Sequence, residues 1–159
     1  MNPWLLIPAE DYERHMSDPA VGQLEFLNGV FKEVLTTHPP RRLLVAGCST
    51  GNGFEHIDYD AVEKVVAVDI NPGYLDVLRA RFSEHLDKIE TICSDVSECD
   101  LPDAGFELVH CALIFEYVDP DKTVKRLRQW LAPGSIVSVV LQMEDVKHAA
   151  VTDTMYQSL

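Results

Sequence analysis

The sequence predicts a doubly wound α/β domain, in which a mostly parallel sheet carries helices on both faces. Five short apolar segments alternate with segments of helical spacing, and a glycine-rich turn directly follows the first apolar segment. No internal repeat interrupts this pattern. Right-handed crossovers that wind outward in both directions give the strand order 3-2-1-4-5. A ligand is then expected beyond the carboxyl ends of strands 1 and 4, where the winding reverses.

The predicted N-terminal helical arm, or lid, covers residues 1–40. Asp18 and Pro19 offer an N-cap and a first-turn proline, and Pro39-Pro40 stops the segment. Between them, apolar residues recur at helical spacing and predict an amphipathic helix: Leu24, Leu27, Phe31 and Val34.

The predicted sheet domain covers residues 41–159. Its five strands are expected at residues 41–47, 64–70, 88–93, 106–113 and 135–142. A helix is expected after the glycine turn, and two more begin at Asn71-Pro72 and Asp119-Pro120. The apolar positions of the last two are Leu75, Leu78, Phe82 and Leu86, then Val124, Leu127 and Leu131. Pro133-Gly134 is expected to end the last helix.

Composition limits the classes of partner. The chain of 159 residues has 26 acidic and 13 basic residues, a formal net charge of −13, so nucleic acid is a disfavoured partner. No apolar run approaches the roughly 20 residues that cross a bilayer, and the N-terminus lacks a secretory pattern. The four cysteines have no metal-ligand spacing, so we expect reduced thiols, no metal site and a cytoplasmic protein.

The stretch "LLVAGCSTGNG", residues 43–53, decides among ligands. A triphosphate-binding loop needs a lysine directly after its glycines, but the first one here is Lys64. The dinucleotide fingerprint fails because its last glycine would be His56. The spacing of short-chain dehydrogenases fits Gly47, Gly51 and Gly53, yet no tyrosine has the required lysine four residues later.

Four landmarks in order now point to a family. "LLVAGCSTG" is followed by "VVAVDINPGYL", by "CSDVSECDLPDAGFELVHCALIFEYV" and by "LAPGSIVSVV". Over roughly residues 40–142 this series resembles the class I, S-adenosylmethionine-dependent methyltransferases, whose fold is Rossmann-like. The resemblance implies S-adenosylmethionine as cofactor and cofactor contacts at Gly47, Cys48, Ser49, Gly51, Asp69, Ile70, Asp95, Val96 and Cys111.

Particular roles follow from the resemblance. Asp69 would accept hydrogen bonds from both ribose hydroxyls, Asp95 from the adenine amino group, and the Val96 N–H would donate to the adenine ring. The methionine carboxylate would meet N–H groups at the start of the helix after Gly51. The family often has an acidic residue where Val45 stands and a glycine where Ser49 stands. These departures weaken the methionine end of the site, where the Cys111 backbone could substitute.

The chemistry is less visible than the cofactor site. Methyl transfer needs an in-line approach more than a general base. The one base candidate in the segment "HCALIFEYV", which starts within strand 4, is His110, whose alternative role is a core histidine. In related methyltransferases a segment such as "AEDYERHM" covers the cofactor. Tyr12, His15 and Met16 share one helix face and are lid or substrate candidates, unless they only pack the arm onto the sheet.

The chain end carries a further expectation. The family's sheet continues with strands 6 and 7, which this chain lacks, and "HAAVTDTMYQSL" is typical of one helix. Strand 5 would then be an open apolar edge, which predicts a truncated chain or a second copy, a homodimer, covering it.

The leading hypothesis is a methyltransferase acting on an unidentified, small-molecule methyl acceptor. The alternatives are a catalytically silent nucleotide-binding module on the same fold and, less favoured, a nicotinamide-dependent oxidoreductase.

Overall fold

The computed structural model describes residues 2–143. Its helices are α1 (Ala9–Ser17), α2 (Gln23–Thr37), α3 (Pro72–Arg81) and α4 (Pro120–Trp130), with short 3-10 turns at Pro3–Leu6, Phe54–His56 and Ser83–His85. Its strands are β1 (Arg42–Ala46), β2 (Lys64–Asp69), β3 (Ile89–Cys93), β4 (Phe106–Ala112) and β5 (Leu131–Val140). The predicted C-terminal helix lies outside the described residues.

The five strands form one parallel sheet in the order β3-β2-β1-β4-β5, so the predicted fold class is confirmed. Alternate residues of the buried strands face two separate cores, as the period of two in a strand requires. Leu43 and Val65 pack with residues of α2 and α3, whereas Leu44 and Val66 pack with residues of α4. These two layers hold the carboxyl ends of β1, β2 and β4 side by side.

Two of the predicted helix starts are confirmed by their caps. The Asn71 side chain accepts a hydrogen bond from the Gly73 N–H at 2.9 Å, and Asp119 accepts one from the Lys122 N–H at 3.1 Å. The predicted N-cap at Asp18 is wrong. Asp18 instead follows the last residue of α1 as its C-cap. The helix α2 starts after Gly22, whose φ of 64° changes the direction of the backbone between the two helices.

The predicted helix after the glycine turn is also wrong. Only the three-residue 3-10 turn Phe54–His56 forms there, preceded by Gly53 with a φ of 85°. Asp58 then caps a second turn by accepting from the Asp60 N–H at 3.1 Å. The connection between the glycine turn and β2 therefore consists of short turns. Because no α-helix begins there, this segment does not offer a helix N-terminus as an anion site.

The helix faces and the β5 start also differ from the prediction. Leu86 lies beyond α3 and is exposed, and Val124 is exposed while Thr123 is buried. The strand β5 begins at Leu131, directly after α4, and Pro133-Gly134 falls within an irregularity of β5 rather than before it. The cause is a register shift against β4 between Phe106 and Leu108, which accommodates the extra residues.

The strand β5 is an edge of the sheet in the described chain. Val137 and Val139 on β5 and Leu141 just after it are between 39% and 59% exposed, which agrees with an apolar edge within residues 2–143. The second copy expected to cover it stays a prediction. No helix within residues 2–143 combines the length and apolar character needed to cross a bilayer.

Candidate active site

The turn after β1 brings backbone close to the crevice. Gly47 and Gly51 have φ angles of 73° and 85°, and Ser49, at 49°, is one of the non-glycine residues in the left-handed region. A Cβ on Gly47 would lie 2.1 Å from Cγ2 of Ile114, which follows β4. Glycine at position 47 thus lets the β4 loop pack directly against the turn.

Asp69, at the end of β2, is fixed by backbone donors. One carboxylate oxygen accepts from the Ser49 N–H at 2.8 Å and the other from the Asn71 N–H at 2.9 Å. Burial raises the pKa of Asp69, and these N–H groups oppose that shift by stabilising the anion. A carboxylate has about four acceptor positions, so Asp69 can still receive a donor from a ligand in the pocket that it lines.

Asp95 lies after β3 on the same side of the pocket. Its Oδ1 accepts from the Ser97 N–H at 2.8 Å and from the Ser97 hydroxyl at 2.7 Å, which fixes the carboxylate. Val96 is buried beside it, and both residues line the pocket. We call the wall formed by Gly47, Ser49, Asp69 and Asp95 the turn side.

We call a second part of the pocket lining, formed by Trp4, Tyr12, Met16 and Tyr117, the arm side. The predicted lid residues Tyr12, His15 and Met16 all line the pocket. Burial raises the pKa of Tyr12 to about 12, so its phenol stays protonated at neutral pH. The arm therefore contributes aromatic and apolar surface to the pocket, and its role as a lid stays a prediction.

Polar contacts hold the arm in place. A Glu13 oxygen accepts from the Thr50 hydroxyl at 2.6 Å and from the Arg81 guanidinium at 2.7 Å. The Asn71 side chain donates to the Trp4 carbonyl at 2.7 Å and to the Ile7 carbonyl at 3.2 Å. Thus α1 is attached both to the glycine turn and to α3.

Tyr74, on α3, was not singled out from the sequence as a site residue. It lines the pocket and is 3% exposed, its ring packs on Tyr12 with centroids 5.0 Å apart, and burial raises its pKa. Its hydroxyl has no hydrogen-bond partner among the described residues. A buried hydroxyl without a partner costs about 1–3 kcal/mol, so a polar ligand atom at this point would be stabilised.

Further pocket residues that sequence reasoning missed include Trp4, Ile114, Glu116 and Tyr117. A usable signal was present for the last three, because they follow the end of β4 at the predicted switch point. Nothing in the local sequence of Trp4 indicates the pocket.

The structure brings six of the nine predicted cofactor contacts to the pocket wall in the described chain: Gly47, Ser49, Asp69, Ile70, Asp95 and Val96. Cys48 and Cys111 are instead buried in the two cores, and burial raises the pKa of Cys111 to about 12. Gly51 serves packing, since a Cβ there would lie 2.9 Å from the Phe82 ring. Val45, at the departure from the family pattern, is a core residue.

His110 does not line the described pocket. Its ring stacks on Phe31 with centroids 4.5 Å apart, and its Nδ1 lies 3.0 Å from the Ser138 hydroxyl. Burial lowers the pKa of His110 to about 4, so the ring is neutral at physiological pH. The side chain is a hydrogen-bonded core histidine, and its position does not support the catalytic role considered from the sequence.

A family model described as "Methyltransferase domain" matches residues 44–139, which run from within β1 through most of β5 and include the whole turn side. The chain belongs to this methyltransferase family. The methyltransferase domain spans half or less of the length of two curated relatives that it matches. One is a malonyl-[acyl-carrier protein] O-methyltransferase of Serratia marcescens, 30% identical over 64% of this chain and 38% of the relative.

The second curated relative is an uncharacterized methyltransferase-like protein of Schizosaccharomyces pombe, 24% identical over 85% of this chain and 50% of the relative. Among solved structures, the N-methyltransferase NodS of Bradyrhizobium japonicum, in complex with S-adenosyl-L-homocysteine, is similar at a TM-score of 0.66 and 15% identity. That match covers 87% of this chain and 72% of NodS.

The [4+2]-cyclase SpnF is similar to this methyltransferase domain at a TM-score of 0.61 and 20% identity, over 72% of this chain and 43% of SpnF. Likeness to these structures shows the fold, and the fold alone does not determine the reaction.

Proposed function

We propose that this domain binds S-adenosylmethionine and transfers its methyl group in line to a small-molecule acceptor. The carrying observation is Asp69, which backbone N–H groups fix at the end of β2 in the pocket beyond the strand ends. A carboxylate with free acceptor positions suits the two hydroxyls of a ribose.

The charge of the pocket favours this ligand over a phosphate-bearing nucleotide. The charged side chains of the described lining are the carboxylates of Asp69, Asp95 and Glu116, and that lining includes no lysine or arginine. A dinucleotide or triphosphate would bring its own negative charge against them. S-adenosylmethionine has no phosphate and carries a positive sulfonium, so the same carboxylates favour it.

The residues present fit such a cofactor. Asp69 and Asp95 offer acceptors, Val96 a buried apolar contact, and the Tyr74 hydroxyl a buried group in need of a partner. S-adenosylmethionine, when bound, supplies a methyl group on sulfur that a nucleophile can displace. We propose that the turn side orients the cofactor and that the arm side excludes water and positions the acceptor.

The test is isothermal titration of the intact chain with S-adenosylhomocysteine and, separately, with NAD. We expect S-adenosylhomocysteine to bind and NAD not to bind. Preferential binding of NAD would overturn the proposal in favour of an oxidoreductase.

Methyl transfer is then measured as incorporation of labelled methyl from S-adenosylmethionine into a panel of small amines, alcohols, phenols and thiols. Uptake by one class establishes the reaction and the atom that is methylated. Binding without uptake by any class would favour the silent module.

A further inference from the structure

Three aromatic rings on the arm side meet at nearly right angles. The ring of Trp4 lies 5.0 Å from that of Tyr117 with an interplanar angle of 88°, and 6.1 Å from that of Tyr12 with an angle of 82°. All three residues line the pocket. We call this group the aromatic corner. Perpendicular ring planes present π faces in different directions, which is the arrangement that surrounds an alkylammonium group.

A carboxylate shares the pocket with the aromatic corner. Glu116 directly precedes Tyr117 in sequence, and both residues line the pocket. One of its oxygens accepts from the Gln142 N–H at 2.9 Å, which holds the carboxylate at the pocket wall after β4 and β5. Asp69 and Asp95 belong to the turn side, so Glu116 is the one carboxylate of the described lining that adjoins a residue of the aromatic corner in sequence.

The charge of the pocket lining disfavours an anionic acceptor. The described lining contains the carboxylates of Asp69, Asp95 and Glu116 and no lysine or arginine, so an anion would meet like charges there. The whole chain has a formal net charge of −13, so long-range attraction also favours a cation over an anion.

We propose that the methyl acceptor is an amine that enters as its ammonium form and is recognised by the aromatic corner and Glu116. This inference rests on the proposed function. Before transfer the ammonium nitrogen loses one proton to solvent. Its freed lone pair then forms the N–C bond to the methyl carbon, while the C–S bond breaks and its electron pair remains on sulfur. The products are a methylated ammonium and an uncharged thioether.

The test compares probes of one shape and different charge. The intact chain is first saturated with S-adenosylhomocysteine, which occupies the cofactor position, and is then titrated with choline or with 3,3-dimethylbutan-1-ol, its uncharged carbon isostere. The anion 3,3-dimethylbutanoate provides the opposite charge. We expect choline to bind about tenfold more tightly than the alcohol, as a desolvated cation–π contact implies, and the anion to bind least.

Two pairs of variants identify the groups responsible. Glu116→Gln should reduce the choline preference, whereas Glu33→Gln, at an exposed carboxylate on α2, should leave it unchanged. Tyr117→Leu removes a ring and should also reduce the preference, whereas Tyr117→Phe keeps the ring and should retain it. Circular dichroism and thermal unfolding establish that each variant is folded.

The outcomes are distinct. The inference is supported if the preference for choline falls in Glu116→Gln and in Tyr117→Leu but not in the control variants Glu33→Gln and Tyr117→Phe. Equal binding of choline and the alcohol, tighter binding of the anion, or no choline binding at about 1 mM overturns it while leaving the proposed function intact. Failure of S-adenosylhomocysteine itself to bind overturns the proposed function, and the inference with it.

Discussion

The turn side and the arm side of the pocket differ in the contacts that shape them. On the turn side, Asp69 is held by backbone donors two and 20 residues away. On the arm side, Glu13 bonds to residues 37 and 68 positions away through side chains. The positions of backbone donors are set by the course of the backbone at the strand ends. Side-chain donors reach Glu13 only if two segments that are distant in sequence pack together. The turn side is therefore the preorganised half, and the arm side depends on a small number of polar links.

The largest effect on ligand binding is expected at the turn side, from Asp69→Ala. Loss of two charge-assisted hydrogen bonds to a ribose should weaken S-adenosylhomocysteine binding by about a hundredfold. Isothermal titration measures it, with Asp87→Ala, an exposed aspartate, as the control. Unchanged affinity in a folded Asp69→Ala protein would contradict the ribose assignment.

Substitution of His110 tests whether this core residue contributes to stability without contributing to ligand binding. Its pKa is about 4 in the folded protein against an ordinary 6.5, so between these values only the unfolded chain takes up the proton. Stability should fall as the pH is lowered from 6.5 towards 4, by up to about 3 kcal/mol. In His110→Phe this dependence should flatten while S-adenosylhomocysteine binding persists. Denaturant unfolding across this pH range measures the first, and titration the second.

Gly47 tests the close approach between the turn and the β4 loop. Gly47→Ala should lower the free energy of unfolding by about 1–2 kcal/mol more than Gly105→Ala does. Both glycines have positive φ, but a Cβ at position 105 meets no atom within 4 Å, so the difference isolates the contact with Ile114. Equal losses in chemical denaturation would show that backbone strain alone makes glycine necessary.

Tyr74→Phe removes only the unpartnered hydroxyl. The free protein should lose no stability, while S-adenosylhomocysteine binding should weaken about fivefold, the worth of one neutral hydrogen bond. In Tyr59→Phe the pattern reverses, because the Tyr59 hydroxyl donates to the Phe54 carbonyl at 3.1 Å outside the pocket. Calorimetry of both variants with and without ligand makes the comparison. A less stable but equally tight-binding Tyr74→Phe protein would exclude a ligand contact.

The smallest effect is expected at the arm side, from Glu13→Gln. Because the ion pair with Arg81 is partly exposed, its loss should weaken S-adenosylhomocysteine binding only about threefold, mainly by faster release. Glu10→Gln breaks a pair within α1 itself and should not alter release. Stopped-flow dissociation and hydrogen exchange of residues 4–17 measure this. An unchanged release rate would mean that packing alone closes the arm.

Sequence and structure contributed different parts of the site. The sheet order and the positions of Asp69 and Asp95 follow from the sequence, because buried parallel strands give continuous apolar runs and their ends are marked by polar residues. The sequence wrongly predicted a helix after Gly51. The positive φ angles of Gly51 and Gly53, which exclude an α-helix there, are visible only in the structure. Trp4 and Tyr74 were missed because their pocket position depends on where the arm packs.

By itself, the sequence determined the α/β class, the winding of the sheet and the turn side of the pocket. These features depend on local periodicity, on glycine and on the ends of strands, all of which are properties of short segments. Only the tertiary structure decided that His110 is a core residue, that Glu13 links the arm to the glycine turn and that three aromatic rings meet in the pocket. Those contacts join segments far apart in the chain, and no local pattern specifies which distant side chains will meet.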